Sequence, residues 1–225
     1  MKLKKINPKL QEALVENNLV EANELQQETF SLIKSGADCV IIAPEKSGKT
    51  TTIVLNVIQR LEKEFQESPR ALIFVQNKER LIEMKQMFEK YGNYTNLRVY
   101  GVHDKGDIDF DKNHISLGID VLIGTTNRLN DLFSTAGFDV NQLKMFIVED
   151  TDDLLKLRYD TKISRIGENI KTQRIFFSEN YSERLETFAE RVMIEPAWFD
   201  FYDDGEEDDE DLEDEEEEND ENEEE

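Results

Sequence analysis

At 225 residues the chain has room for one substantial core. Its formal net charge is −24, but 19 of the 23 residues from Asp203 to Glu225 are acidic, and without them 32 acidic residues face 27 Lys and Arg. Residues 1–202 therefore read as a mildly acidic folded domain, and 203–225 as a disordered acidic tail that cannot bury a core.

The one cysteine, Cys39, excludes an intramolecular disulfide and sits in an apolar run, where it reads as a small core residue. His103 and His114 have no companion ligands at metal-binding spacing and read as surface or loop residues. Neither a signal peptide nor a membrane span is visible, so a soluble cytoplasmic protein is expected.

In chain order, short apolar runs occur at 39–43, 71–75, 97–100, 120–124, 144–148, 174–177 and 192–194. They are almost wholly apolar rather than alternating, which predicts strands covered on both faces. Between them, Thr51–Glu67, Lys78–Tyr91, Asn127–Ser134 and Ser182–Arg191 space their apolar residues by three and four, as helices do. The stretch His103–Gly118, rich in Asp, Lys and Gly, reads as an exposed loop. Strands alternating with helices predict an α/β, doubly wound parallel sheet, with ligands beyond the carboxyl ends of the strands.

The residues after the first strand are "APEKSGKT", Ala43 to Thr50, one residue short of G-x-x-x-x-G-K-[ST]. Such a loop turns successive backbone N–H groups of Ala43, Pro44, Glu45, Lys46, Ser47 and Gly48 toward phosphates, except at proline, which has none. The helix N-terminus adds a favourable dipole, with Lys49 placed for the outer phosphates and the Thr50 hydroxyl for Mg²⁺.

Taken with the segments after the other strands, this loop resembles the first RecA-like domain of the DEAD-box RNA helicases, over about Ile6 to Trp198. Gln26, 17 residues before Ala43, falls where that family reads adenine, and its carboxamide matches the adenine edge. "VQNKER" (75–80) stands at the family's P-T-R-E-L, keeping Lys78 and Glu79. "GTTNRL" (124–129) resembles T-P-G-R, keeping Thr125 and Arg128. The resemblance implies that Lys78, Thr125 and Arg128 hold an RNA backbone.

The departures are specific. "FIVEDTDDLL" (146–155) places Glu149-Asp150-Thr151-Asp152 on D-E-A-D, with both carboxylates in exchanged order. The resemblance gives Glu149 the magnesium through water and Asp150 the attacking water, each displaced by a methylene, and a 1 Å misplacement can cost ~10²-fold in rate. A register shifted by one would put Asp150 at the first position and Thr151 at the catalytic one. "FFSEN" (176–180) stands at the coupling segment S-A-T, with Ser178 kept, Asn180 for threonine, and Glu179 adding an anion that disfavours ATP. Lys46 replaces a glycine, so it forms the cradle only with negative φ or with about 1 kcal/mol of strain.

The family carries a second RecA-like domain whose arginine finger is worth ~10³ to 10⁵ in turnover. Here "EPAWFDFYDD" runs into the acidic stretch, so weak or no ATP hydrolysis and no unwinding by this chain alone are expected. Two function classes follow. One is an ATP- and RNA-binding degenerate helicase domain. The other is a non-enzymatic scaffold whose surface and tail engage a basic protein or a helicase domain supplied in trans. A phosphate-loop kinase fits poorly, since no basic lid-like segment follows.

Overall fold

The structure, a computed structural model, describes Leu3 and residues 5–202. The acidic tail expected from the sequence lies outside the described residues.

Among the described residues the elements run α1 (Pro8–Glu16), α2 (Glu24–Ser35), β1 (Cys39–Ile42), α3 (Lys49–Leu61), β2 (Ala71–Val75), α4 (Lys78–Tyr91), β3 (Val99–Val102) and α5 (Ile108–Ser116). They continue with β4 (Val121–Thr125), α6 (Thr126–Ser134), β5 (Met145–Val148), α7 (Thr151–Lys156), α8 (Asp160–Gly167), β6 (Gln173–Ser178), α9 (Glu183–Val192) and β7 (Ala197–Asp200). The strands form one sheet in the order β3-β4-β2-β5-β6-β1-β7, and every pairing is parallel. This is the expected doubly wound α/β fold.

Why the central strands are almost wholly apolar is visible in the two cores. Cys39, Ile41, Ile73, Ile147 and Ile175 face α1, α2, α3 and α4, together with Leu10, Phe30, Ile53 and Met84. Their strand neighbours Val40, Leu72, Phe74, Phe146 and Phe176 face the other layer, with Leu132, Ile163 and Phe188. Both faces are dry, so alternation of polar and apolar residues has no place in these strands. Burial pushes the Cys39 thiol well above its ordinary range, which fits a core residue rather than a reactive one.

Three expectations are corrected. The run 192–194 is no strand: Val192 ends α9 and packs with Leu185, Phe188 and Ala189 at helical spacing, and the seventh strand is Ala197–Asp200, beside β1. The region 103–118 is not one exposed loop, because the Asp107 side chain accepts from Asp109 N and Phe110 N and starts α5. The helix predicted over 51–67 ends at Leu61, where the Arg70 guanidinium donates to the carbonyls of Leu61 and Lys63.

The edge strand β3 lies two residues later than predicted and runs through Gly101. A side chain there would bring its Cβ within 2.6 Å of Leu81 Cδ2 on α4. Among the described residues no helix is long and apolar enough to cross a membrane.

Candidate nucleotide site

The carboxyl ends of β1, β2, β5 and β6 lie together, since Ile42 is in register with Ser178, Val148 with Phe176, and Phe74 with Val148. They bring residues 43–50, 76–80, 149–152 and 178–180 to one edge, at the crevice where such sheets hold ligands.

The loop from Ala43 to Gly48 connects β1 to α3. Gly48 is the N-cap of α3 with φ +96, and Lys46 adopts φ +64. The strain anticipated for a lysine at this position is therefore present, on an exposed residue beside exposed Glu45. The segment before α2 props the loop from below. Asn23 Nδ2 donates to Ser47 O at 2.6 Å, and a Cβ on Gly48 would stand 3.0 Å from that same nitrogen and 3.5 Å from Gln26 Nε2. Gln26 is buried, and with Asn23 it forms a reciprocal capping box, Asn23 N donating to Gln26 Oε1 and Gln26 N to Asn23 Oδ1. Its carbonyl oxygen is thus used within the helix start, and its amide faces the loop.

Lys49 is buried and curls under the loop, Nζ donating to Ala43 O at 2.7 Å and Pro44 O at 3.2 Å. Thr50 Oγ1 donates to Glu149 Oε1 at 2.6 Å, so the two residues expected to share a metal do meet. The exchanged order explains how closely: the longer Glu149 side chain closes directly onto the hydroxyl. Glu149 is fully buried, and burial pushes its carboxyl up to about 7, aided by Asp150 and opposed by Arg80 and the Thr50 bond. Asp150 caps α7 in the left-handed region, φ +49, and burial raises its carboxyl too, against Arg80 and Lys49.

Arg80 is the residue that sequence reasoning missed. It lies in the first turn of α4, where its backbone N donates to Asn77 Oδ1 and its side chain reaches across to β5. Nη2 donates to Glu149 Oε1 at 2.8 Å and to Thr50 Oγ1 at 3.1 Å, Nε lies 3.5 Å from Asp150 Oδ2, and Nη1 bonds Glu83 at 2.9 Å. The available signal was a charged residue at the place of the leucine in P-T-R-E-L. Arranged this way the donors do not fit a hydrated magnesium ion, which keeps several waters around an octahedral centre, because the guanidinium occupies the space between Thr50, Glu149 and Asp150.

Asp152 joins the acidic motif to the 178–180 segment. It accepts from Glu179 N at 3.2 Å and from Asn180 Nδ2 at 3.4 Å, while Ser178 Oγ donates to Asn180 O. These bonds hold its carboxyl below the ordinary range even though burial, the larger influence, pushes upward.

The expected RNA contacts are divided. Lys78 is exposed at the start of α4. Thr125 and Arg128 are buried: Thr125 Oγ1 donates to Asp104 Oδ1, and Arg128 donates to the carbonyls of His103, Asp104 and Gly106 and lies 3.6 Å from Asp111. Both fix the 103–107 turn. His114 stacks on Tyr100, ring centroids 4.0 Å apart.

A parallel sheet with a Gly-Lys-Thr loop at the start of the helix after β1, facing two carboxylates at the end of β5, defines a RecA-like nucleotide-site domain. The profile of the DEAD/DEAH box helicases matches residues 23–188, and the chain belongs to that family. It is 21% identical over 200 residues to DEAD-box ATP-dependent RNA helicase 42 of Arabidopsis thaliana, covering 85% of this chain and 17% of that protein. It is 28% identical over 142 residues to the ATP-dependent RNA helicase eIF4A of Scheffersomyces stipitis, covering 63% and 36%. The fold matches a DEAD box protein of the hyperthermophile Methanococcus jannaschii with a TM-score of 0.82 at 16% identity, over 87% of this chain and 54% of that one. The chain thus spans roughly a third or less of the curated relatives' length.

Proposed function

We propose that this chain is a cytoplasmic, diverged helicase domain that binds ATP and, weakly, single-stranded RNA, with little or no hydrolysis and no strand separation by itself. The observation that carries the reading is the Gly48-Lys49-Thr50 loop at the α3 N-terminus, braced by Asn23 and Gln26. Ser47 Oγ is buried there without a hydrogen-bond partner, as a group awaiting a ligand is. In this reading Lys49 leaves Ala43 and Pro44 for the phosphates, Gln26 takes the adenine, and Asp150 retains a weakened role toward water. Lys78 meets the RNA backbone, and Thr125 and Arg128 act there through the 103–107 turn that they hold.

Titration with a fluorescent ATP analogue tests it. Lys49→Ala is expected to weaken binding by about 10-fold or more, since a charge-assisted contact to phosphate is lost. Equal binding by wild type and Lys49→Ala at millimolar ligand would sink the nucleotide reading.

A second reading is favoured by the inward contacts of Lys49 and Arg80, which close the site with the domain's own groups. In it the fold is a scaffold, and the acidic tail engages a basic protein or a helicase domain in trans. Deletion after Tyr202 tests the tail. On the RNA-binding reading, removal of 19 acidic residues strengthens single-stranded RNA binding at low salt. Unchanged affinity counts against competition by the tail and leaves it a role in solubility or in binding a separate partner.

A further inference from the structure

The cation that Thr50, Glu149 and Asp150 hold is a side chain of the domain itself. Arg80 Nη2 is within 3.1 Å of Thr50 Oγ1 and 2.8 Å of Glu149 Oε1, with Nε 3.5 Å from Asp150. The Thr50 to Glu149 contact of 2.6 Å leaves no gap for a water shell between those donors. Arg80 is held at its backbone and at its head: its backbone N donates to Asn77 Oδ1, and its guanidinium Nη1 donates to Glu83. A planar guanidinium is suited to bidentate contact with phosphate, so after a modest swing the same group can meet the outer phosphates beside Lys49.

We infer that Arg80 is the resident cation of this site and stands in place of the divalent metal, so that nucleoside triphosphate binds here without metal. The inference rests on the nucleotide reading above. It departs from the magnesium that the family pattern implies, and it follows from one residue, Arg80, at the leucine position of P-T-R-E-L.

Two measurements on the full chain test it. In the first, the fluorescent ATP analogue is titrated in EDTA and in magnesium. Wild type is expected to bind equally in both. Arg80→Leu is expected to bind about 10-fold more weakly in EDTA and to recover with magnesium, since one charge-assisted contact is lost and a metal can then enter. A wild type that needs magnesium overturns the inference while keeping the nucleotide reading. In the second, thermal melts are run with and without magnesium and no nucleotide. Magnesium is expected to raise the Tm of Arg80→Leu and to leave the wild-type value unchanged. The acidic residues 203–225 are common to both chains and cancel in the comparison. An equal rise in both chains overturns the inference. If Arg80→Leu does not fold, Arg80→Gln, which keeps a hydrogen bond but no charge, is measured in the same arms with the same expectation. Failure of every arm to bind nucleotide overturns the nucleotide reading, and the melts then decide the place of Arg80 by themselves.

Discussion

Asp120→Ala is expected to lower the stability of the domain by about 3–5 kcal/mol, the range found when one partner of a buried ion pair is removed. Asp120 is fully buried at the entrance of β4. One oxygen accepts from Arg70 Nη2 at 2.6 Å, Arg70 Nε at 3.2 Å and Phe65 N at 3.0 Å. The other accepts from Arg98 Nε at 2.9 Å and Arg98 N at 3.0 Å. Burial alone would raise this carboxyl, yet the bonds from Arg98, Arg70 and Phe65 hold it below the ordinary value. Alanine leaves Arg70, itself buried, without its counter-charge, and frees the turn that leads from α3 into β2. Because the folded value is depressed, the contribution is present above the ordinary carboxylate value and fades as pH falls from there through the lower folded value. Urea unfolding of the two proteins at neutral pH gives the difference. Matching midpoints would show that the cluster contributes nothing net, and Asp120→Asn, which keeps one acceptor oxygen for Phe65 N or Arg98 N but not for both, is expected to lose less than alanine.

The sheet was legible because its strands carry their burial in one dimension: "ALIFV" is apolar at every position and too short for a buried helix, as a strand covered on both sides is. The loop was legible for a related reason, since Gly48, Lys49 and Thr50 act through backbone and helix geometry that a local sequence determines. What escaped depended on partners distant in sequence. Val192 and Met193 looked like a strand until α9 supplied their helical neighbours. Asp107 to Ser116 looked like a loop because its cap and its two buried positions, Asp111 and Ile115, are too sparse to produce a clear period. Thr125 and Arg128 kept the family's residue types, but only the fold shows their polar groups committed to the 103–107 turn. Arg80 is the sharpest case. In sequence it is one charge in "NKERLIEMK", an ordinary helix start, and it acquires meaning only because the end of β5 brings Glu149, 69 residues away, under its guanidinium.

Between about pH 4.5 and about pH 7 the wild-type domain is expected to lose stability as pH rises, by up to about 3 kcal/mol, and Glu149→Gln is expected to abolish most of that slope. The ordinary value for this carboxyl is 4.5 and the folded value about 7, so across that window the folded state holds a proton that the unfolded chain has released. Stability conferred by that proton is complete below the ordinary value and disappears as pH passes the folded one. Asp150, also raised by burial, acts in the same direction, and Asp120 and Asp152, both lowered, act only in more acidic solution. The difference between wild type and Glu149→Gln therefore isolates Glu149, and urea unfolding across this range measures it. Parallel profiles would mean that Glu149 ionises in the folded domain as easily as in the unfolded chain. Above about pH 7 the glutamine variant is expected to be the more stable of the two, because a neutral side chain avoids the desolvation penalty of a buried carboxylate. Arg80 offsets part of that penalty in the wild type, since its Nη2 contact favours the charged form. A carboxylate held in this position at a cost to the fold, and neutralised by an arginine brought from another element, is the arrangement of a site shaped for charge rather than for stability.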